Sequence, residues 1–135
     1  MKQLAPSILS ADFICLGEQL KQLQKLCIHY LHIDVMDGMF VPSISFGMPV
    51  IASLRKHTDM FFDVHLMIEE PIRYVNALRQ AGADGLTVHA EACADLPGTI
   101  AAIRESGAKP AVCLSPKTPL SKLDGILDQV DMVLI

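Results

Sequence analysis

The sequence predicts an α/β fold built on a parallel sheet, and three observations lead there. Six short apolar runs, at residues 4–9, 30–35, 61–67, 85–89, 110–114 and 132–135, begin 22 to 31 residues apart. Each is about strand length, rich in Val, Ile, Leu and Phe, and nearly continuous in its apolarity, as strands buried on both faces are. Between the runs lie amphipathic stretches of helical period. The punctuation Ala81-Gly82-Ala83-Asp84 is echoed 25 residues later by Ser106-Gly107-Ala108-Lys109, each time between a helix end and the next strand. A recurring βα unit follows, with right-handed crossovers. Eight such units close a (β/α)8 or TIM barrel, and about six are present here.

Taken in order, residues 4–9 are expected to be the first strand. A helix follows, with Leu16, Leu20, Leu23 and Cys27 along one stripe and Asp12 as its cap. The second strand covers 30–35, and 48–56 is a weaker helix. After the strand at 61–67, Pro71 opens a helix with Ile72, Val75 and Leu78 inward and Gly82 as its stop. The strand at 85–89 leads to a helix marked by Ile100 and Ile103 and ended by Gly107. Beyond 110–114, Thr118 reads as an N-cap and Pro119 as the first helical residue. Leu120, Leu123, Leu127 and Val130 would share one face of that helix. The last run, 132–135, is apolar to its end. The expectation is one partial barrel domain over residues 1–135, lacking strands seven and eight and belonging to a longer product. A complete barrel takes roughly 200–250 residues.

Composition excludes several classes of function. At 51% hydrophobic and 19% charged, with a net charge of −4, the chain is neither disordered nor basic enough for a nucleic-acid groove. No apolar stretch approaches the ~18 residues of a membrane span, and the first residues lack a signal-peptide pattern. Cys15, Cys27, Cys93 and Cys113 form no CxxC pair, and all four read as buried free thiols in a reducing cytoplasm.

Alternation along strands places the chemistry. Residues two apart point the same way, so His32, Asp34 and Met36 share one face, as do Asp63, His65 and Met67. Two adjacent parallel strands thus aim His-x-Asp-x-Met and Asp-x-His-x-Met at their C-terminal ends, where (β/α) barrels carry their sites. Two imidazoles and a carboxylate suit one borderline divalent ion such as Zn, Fe(II), Mn or Co. Spacing alone leaves a second reading open, in which the histidines and the aspartate are hydrogen-bonded core residues and the methionines are packing. His89 shares parity with Thr87 and Glu91 and reads as a hydrogen-bonded neighbour of the site rather than a fourth ligand. His29 and His57 read as surface residues, and Asp37-Gly38 as a turn.

Several motifs together resemble the ribulose-phosphate 3-epimerase family. Ala5-Pro6-Ser7-Ile8-Leu9-Ser10-Ala11-Asp12 is similar to its opening. His32-Ile33-Asp34-Val35-Met36-Asp37-Gly38 with Phe40-Val41-Pro42, and Asp63-Val64-His65-Leu66-Met67, resemble its second and third strands. Val88-His89-Ala90-Glu91 and Leu114-Ser115-Pro116-Lys117-Thr118-Pro119 resemble the ends of its fourth and fifth. The resemblance implies epimerisation at C3 of ribulose 5-phosphate to xylulose 5-phosphate, with a small sugar phosphate as partner and room for a homo-oligomer. It implies metal ligation by His32, Asp34 and His65, joined by an aspartate after a seventh strand. Asp34 would be one acid/base and that aspartate the other, while Ser7, His65, Met36 and Met67 would meet the substrate.

The parts fit the chemistry. A proton beside a carbonyl leaves only if the developing oxyanion is stabilised, which a divalent cation does as a Lewis acid. Inversion needs a proton-transfer group on each face. The second carboxylate and the loops that would grip phosphate lie outside these residues, so the chain alone is expected to be inactive. Two other readings stand beside this one: an epimerase of a six-carbon ketose phosphate such as allulose 6-phosphate, and a non-catalytic barrel fragment. A metal-independent relative of orotidine-monophosphate decarboxylase type would need Asp-x-Lys-x-x-Asp, and Asp34-Val35-Met36-Asp37 has no lysine.

Overall fold

The β-branched and aliphatic runs form strands because their alternate side chains have a helix layer to bury against. The computed structural model describes residues 2–135. Its strands are β1 (Tyr30–Met36), β2 (Phe61–Met67), β3 (Gly85–His89), β4 (Lys109–Cys113) and β5 (Met132–Leu134). They pair in parallel and in chain order, β1-β2-β3-β4-β5, the order in which a barrel is laid down. The crossovers before β1 to β4 carry helices α1 (Leu16–Lys25), α2 (Met48–Arg55), α3 (Val75–Ala81) and α4 (Leu96–Glu105). No helix among the described residues is long and apolar enough to cross a membrane.

One face of the sheet is apolar. Leu31, Ile33, Phe62, Val64, Leu66, Leu86 and Val88 are fully buried and share a core with Leu20, Ile51, Leu54, Val75, Leu78 and Ile103. Each such side chain contributes about 1.5–3 kcal/mol by leaving water. The opposite face carries His32, Asp34, Met36, Asp63, His65, Thr87, His89 and Cys113, by the same alternation. Register holds the two sets apart, with His32 opposite Asp63, Asp34 opposite His65, and Met36 opposite Met67.

Five expectations need correction. Residues 4–9 do not form a ladder strand. They reach β1 through a bridge between Ser7 and His32 and the bond His32 N–H to Pro6 carbonyl at 2.9 Å. Pro6 has no N–H to give, and the Ser7 hydroxyl turns to accept Leu9 N–H, starting a 3-10 turn at Ile8–Ser10. The expected helix after Pro119 is two 3-10 turns, Leu120–Leu123 and Leu127–Gln129. Gly125, at φ +75°, breaks them apart, so Leu123 and Ile126 are buried while Leu120 and Leu127 are exposed. Ile72 is exposed because Pro71–Tyr74 is a 3-10 turn that re-phases the face before α3. Asp12 does not cap α1: its carboxylate accepts Ile14 N–H, and Cys15 holds the N-cap position. Among the cysteines only Cys113 is buried; Cys27, past the end of α1 at φ +56°, is exposed, and Cys15 and Cys93 are half-buried.

The echoed glycines do what their position requires. Gly82 and Gly107 take φ of +117° and +84° at the ends of α3 and α4. Gly82 lies against Arg55, whose guanidinium ties three segments together. It donates to the carbonyls of Thr58 and Met60 at 2.7 and 2.6 Å and to the Asp84 carboxylate at 2.8 Å. It also sits 3.7 Å above the centre of the Phe62 ring. Replacing Arg55 by Ala strands these acceptors beside the start of β2, and is expected to cost roughly 2–3 kcal/mol. Urea denaturation would register this as a lower midpoint with an unchanged slope.

Candidate active site

The polar face of the sheet converges at the C-terminal ends of β1, β2 and β3. At its centre lies Asp34, only 8% exposed. Its Oδ2 accepts the Ser7 hydroxyl at 2.5 Å. Its Oδ1 lies 3.2 Å from His32 Nε2 and 3.2 Å from His65 Nδ1. The bridge from Ser7 to β1 is thus what brings the N-terminal segment to the carboxylate.

Each imidazole has a further partner on its far side. His32 Nδ1 meets Asp63 Oδ2 at 2.8 Å, and Thr87 donates to the other Asp63 oxygen at 3.3 Å. His65 Nε2 meets His89 Nε2 at 2.9 Å with the rings stacked. His89 Nδ1 lies 3.4 Å from Glu91 Oε2, but the direction is poor and this buried nitrogen makes no hydrogen bond. Glu91 is itself held by the Ser115 N–H at 2.8 Å.

These contacts set the charges. Burial pushes the Asp34 carboxyl up, but hydrogen bonds from His32, His65 and Ser7 outweigh it and hold the group well below the usual carboxylate range. Hydrogen bonds to Asp34 and then Asp63 raise His32 from 6.5 to about 9 against the opposing effect of burial. Burial, then the neighbouring His65, lowers His89. Burial, then the Glu91 charge, pushes the Cys113 thiol up to about 11. Burial would also raise Glu91, yet bonds from the Thr118 hydroxyl and Ser115 N–H bring it down to about 2.

His32, Asp34 and His65 each offer one donor atom, and these lie within 4.8 Å of one another. Two ligands held at about 2.0–2.2 Å on one ion stand roughly 3.0–3.4 Å apart. The 3.2 Å separations of both ring nitrogens from Asp34 Oδ1 fall in that span, so the donor set fits a divalent cation. The outer partners fit too, since an imidazole ligand usually donates its other N–H to a carboxylate or another acceptor.

Residues 3–135 match the sequence model of the ribulose-phosphate 3 epimerase family. The chain belongs to that family. It is 50% identical over 135 residues to the ribulose-phosphate 3-epimerase of Bacillus subtilis, covering 100% of this chain and 62% of that protein. It is 44% identical to the Rhodobacter capsulatus enzyme, covering 98% and 58%, and 48% identical to a chloroplastic Arabidopsis thaliana one, covering 98% and 48%. The chain therefore spans about half to three fifths of the length of these relatives. Among solved structures, the tryptophan synthase α subunit of Legionella pneumophila aligns at a TM-score of 0.65 with 17% identity, over 99% of this chain and 62% of that one. A 3-keto-L-gulonate-6-phosphate decarboxylase from Vibrio cholerae aligns at 0.63 with 17% identity, over 96% and 59%. Both speak to the fold alone: α/β, an arc of a barrel.

Of the residues singled out from the sequence, the structure brings together Ser7, His32, Asp34 and His65. Met36 and Met67 face each other in register at the ends of β1 and β2, both half-buried. Sequence reasoning assigned no role to Asp63, although its parity with His65 was the signal. His89 is not the satisfied neighbour expected, because one of its nitrogens is left unpartnered. Cys113, opposite His89 in the β3–β4 register, joins the same face.

The raised His32 pKa has a consequence for the metal-free protein. Protonated His32 stabilises the folded state fully below its unfolded value of 6.5, and that contribution disappears as pH rises through about 9. Unfolding free energy should therefore fall between those pH values in the metal-free wild type and fall less in His32→Gln. Urea denaturation across that window checks it, and parallel curves for the two proteins would contradict the charge assignment.

Proposed function

We propose that the protein is a metal-assisted epimerase, inverting C3 of ribulose 5-phosphate to give xylulose 5-phosphate in the cytoplasm. The convergence of His32, Asp34 and His65 at the strand ends is the observation that supports this reading best. Membership of the epimerase family supports the choice of reaction, and the relatives' names favour ribulose phosphate over a six-carbon sugar. In this reading residues 1–135 are one partial barrel domain, which two further βα units would close.

His32, Asp34 and His65 would hold one divalent ion, of the Zn, Fe(II), Mn or Co kind. Ser7 and His65 would contact the sugar, and Met36 and Met67 would shield the reacting carbons from water without competing for a proton. Asp34 takes the C3 proton. Its hydrogen-bond donors make it a weak base, so the reaction demands an unusually acidic C–H. A divalent ion held by His32, Asp34 and His65 would supply that acidity as a Lewis acid, neutralising charge on the neighbouring substrate oxygen. Asp63 keeps the His32 ring turned so that Nε2 faces Asp34, and Thr87 keeps Asp63 in place.

The proton returned to the opposite face needs a second group. Among the described residues no other carboxylate touches Asp34: Asp63 lies behind His32, and Glu91 is held at the start of the β4–β5 connection. We assign that role to an aspartate beyond residue 135, as the family resemblance implies.

Two experiments test the reading. In a full-length protein that includes the second aspartate, Asp34→Asn should lower turnover of ribulose 5-phosphate at least a hundredfold, the lower range for a general acid/base, with near-native circular dichroism. Retention of more than about a tenth of the activity would remove Asp34 from the mechanism. The 135-residue chain alone, with metal and substrate in deuterated water, should accumulate no xylulose 5-phosphate above the uncatalysed rate, while slow deuterium entry into ribulose 5-phosphate is allowed. Rapid epimerisation by that chain would mean that a group within it supplies the second proton.

A further inference from the structure

His65 offers a nitrogen to each of two different donor sets. Nδ1 faces Asp34, and Nε2 faces His89 at 2.9 Å. On the His89 side the third donor is Cys113. We propose that His65, His89 and Cys113 form a second cation site, containing a thiolate and taking a soft or borderline divalent ion such as Zn2+ or Cd2+. This does not depend on the epimerase reading, because neither His32 nor Asp34 belongs to the set.

Three adjacent strands build it. His65 stands on β2 opposite Thr87, His89 lies two residues beyond Thr87 on β3, and Cys113 faces His89 from β4. All three side chains therefore leave the same face of the sheet at the same end. One donor atom from each lies within 4.8 Å of the others. All three residues are buried, at 8%, 8% and 5% exposed, so a bound ion would be largely shielded from water.

The arrangement without an ion is poorly satisfied. Two Nε2 atoms facing each other can share only one proton, and His89 Nδ1 has no hydrogen-bond partner although buried. Their separation of 2.9 Å is close to that of two nitrogens on one ion at about 2.0–2.1 Å each. With Nε2 committed to an ion, the His89 Nδ1–H would lie 3.4 Å from Glu91 Oε2, a carboxylate on the side where imidazole ligands commonly find an outer partner.

On binding, the Cys113 S–H bond breaks, its proton goes to solvent and a sulfur–metal bond forms with no change of oxidation state. Thiolate softness biases the two sets differently: Mn2+ suits the oxygen and nitrogen set at Asp34, Cd2+ favours the nitrogen and sulfur set here, and Zn2+ can enter either. Since both sets use His65, an ion in the second ties down a ring that the first also needs. Soft ions should therefore interfere at the first set.

The test is titration of the purified protein with Cd2+, following the ultraviolet thiolate-to-cadmium charge-transfer absorption. The band should appear and saturate in the wild type and in the triple variant Cys15→Ser, Cys27→Ser, Cys93→Ser. It should be lost in Cys113→Ser and persist in Asp34→Asn, which separates this proposal from the fate of the epimerase reading. A band that survives in Cys113→Ser, or is absent from the triple variant while circular dichroism shows that variant folded, overturns it. Loss of the band in Asp34→Asn would also overturn it, by making the two sets one.

Discussion

The zero-offset register between β1 and β2 is the constraint on which everything else rests. Paired residue for residue from Tyr30 and Phe61 to Met36 and Met67, the two strands turn Asp34 and His65 to one side together. A slip of β2 by one residue would send Asp63 and His65 into the helix layer and bring Phe62 and Val64 to the mouth. The apolar face prevents that slip. Leu31, Ile33, Phe62, Val64 and Leu66 are fully buried against the helices, and moving any of them to the polar side forfeits about 1.5–3 kcal/mol. The core thus positions the site without contributing an atom to it.

Electrostatics then shapes what the register has gathered. A carboxylate buried to the degree of Asp34 is costly unless donors surround it. Ser7, His32 and His65 supply those donors, and His32 in the metal-free state takes up a proton to balance the charge. A divalent cation would replace that proton and satisfy the same oxygens and nitrogens. The outer contacts extend the logic, since Asp63 holds His32 and is in turn held by Thr87. On the other flank the chain from His65 ends at His89, whose buried Nδ1 has no hydrogen bond, the weakest point in an otherwise satisfied network.

Much of this was legible from residue patterns. The strands from 30, 61, 85, 110 and 132 stand out as apolar runs, and two-residue parity was enough to put His32, Asp34, Asp63 and His65 on one face. Ser7 came only through the family resemblance, because nothing in an isolated Pro-Ser-Ile reveals that its hydroxyl will meet an aspartate 27 positions later. Two of the misreadings, the strand at 4–9 and the helix after Pro119, come from backbone geometry. Pro6 at the start of the chain and Gly125 beyond Pro119 each override a favourable apolar pattern through backbone geometry, withholding a donor in one case and taking a left-handed turn in the other. The link between His89 and Cys113 was hidden because it depends on the β3–β4 register, which sequence spacing does not determine.

In the proposed reading His32, Asp34 and His65 hold one hard-to-borderline cation. Crystals soaked in Mn2+, which has little affinity for thiolate, and measured for anomalous scattering test it most directly. The expected result is a peak bounded by His32 Nε2, an Asp34 carboxylate oxygen and His65 Nδ1, each at roughly 2.0–2.2 Å. Saturating Mn2+ with no peak there, or with its only protein-bound peak elsewhere on the chain, would contradict it.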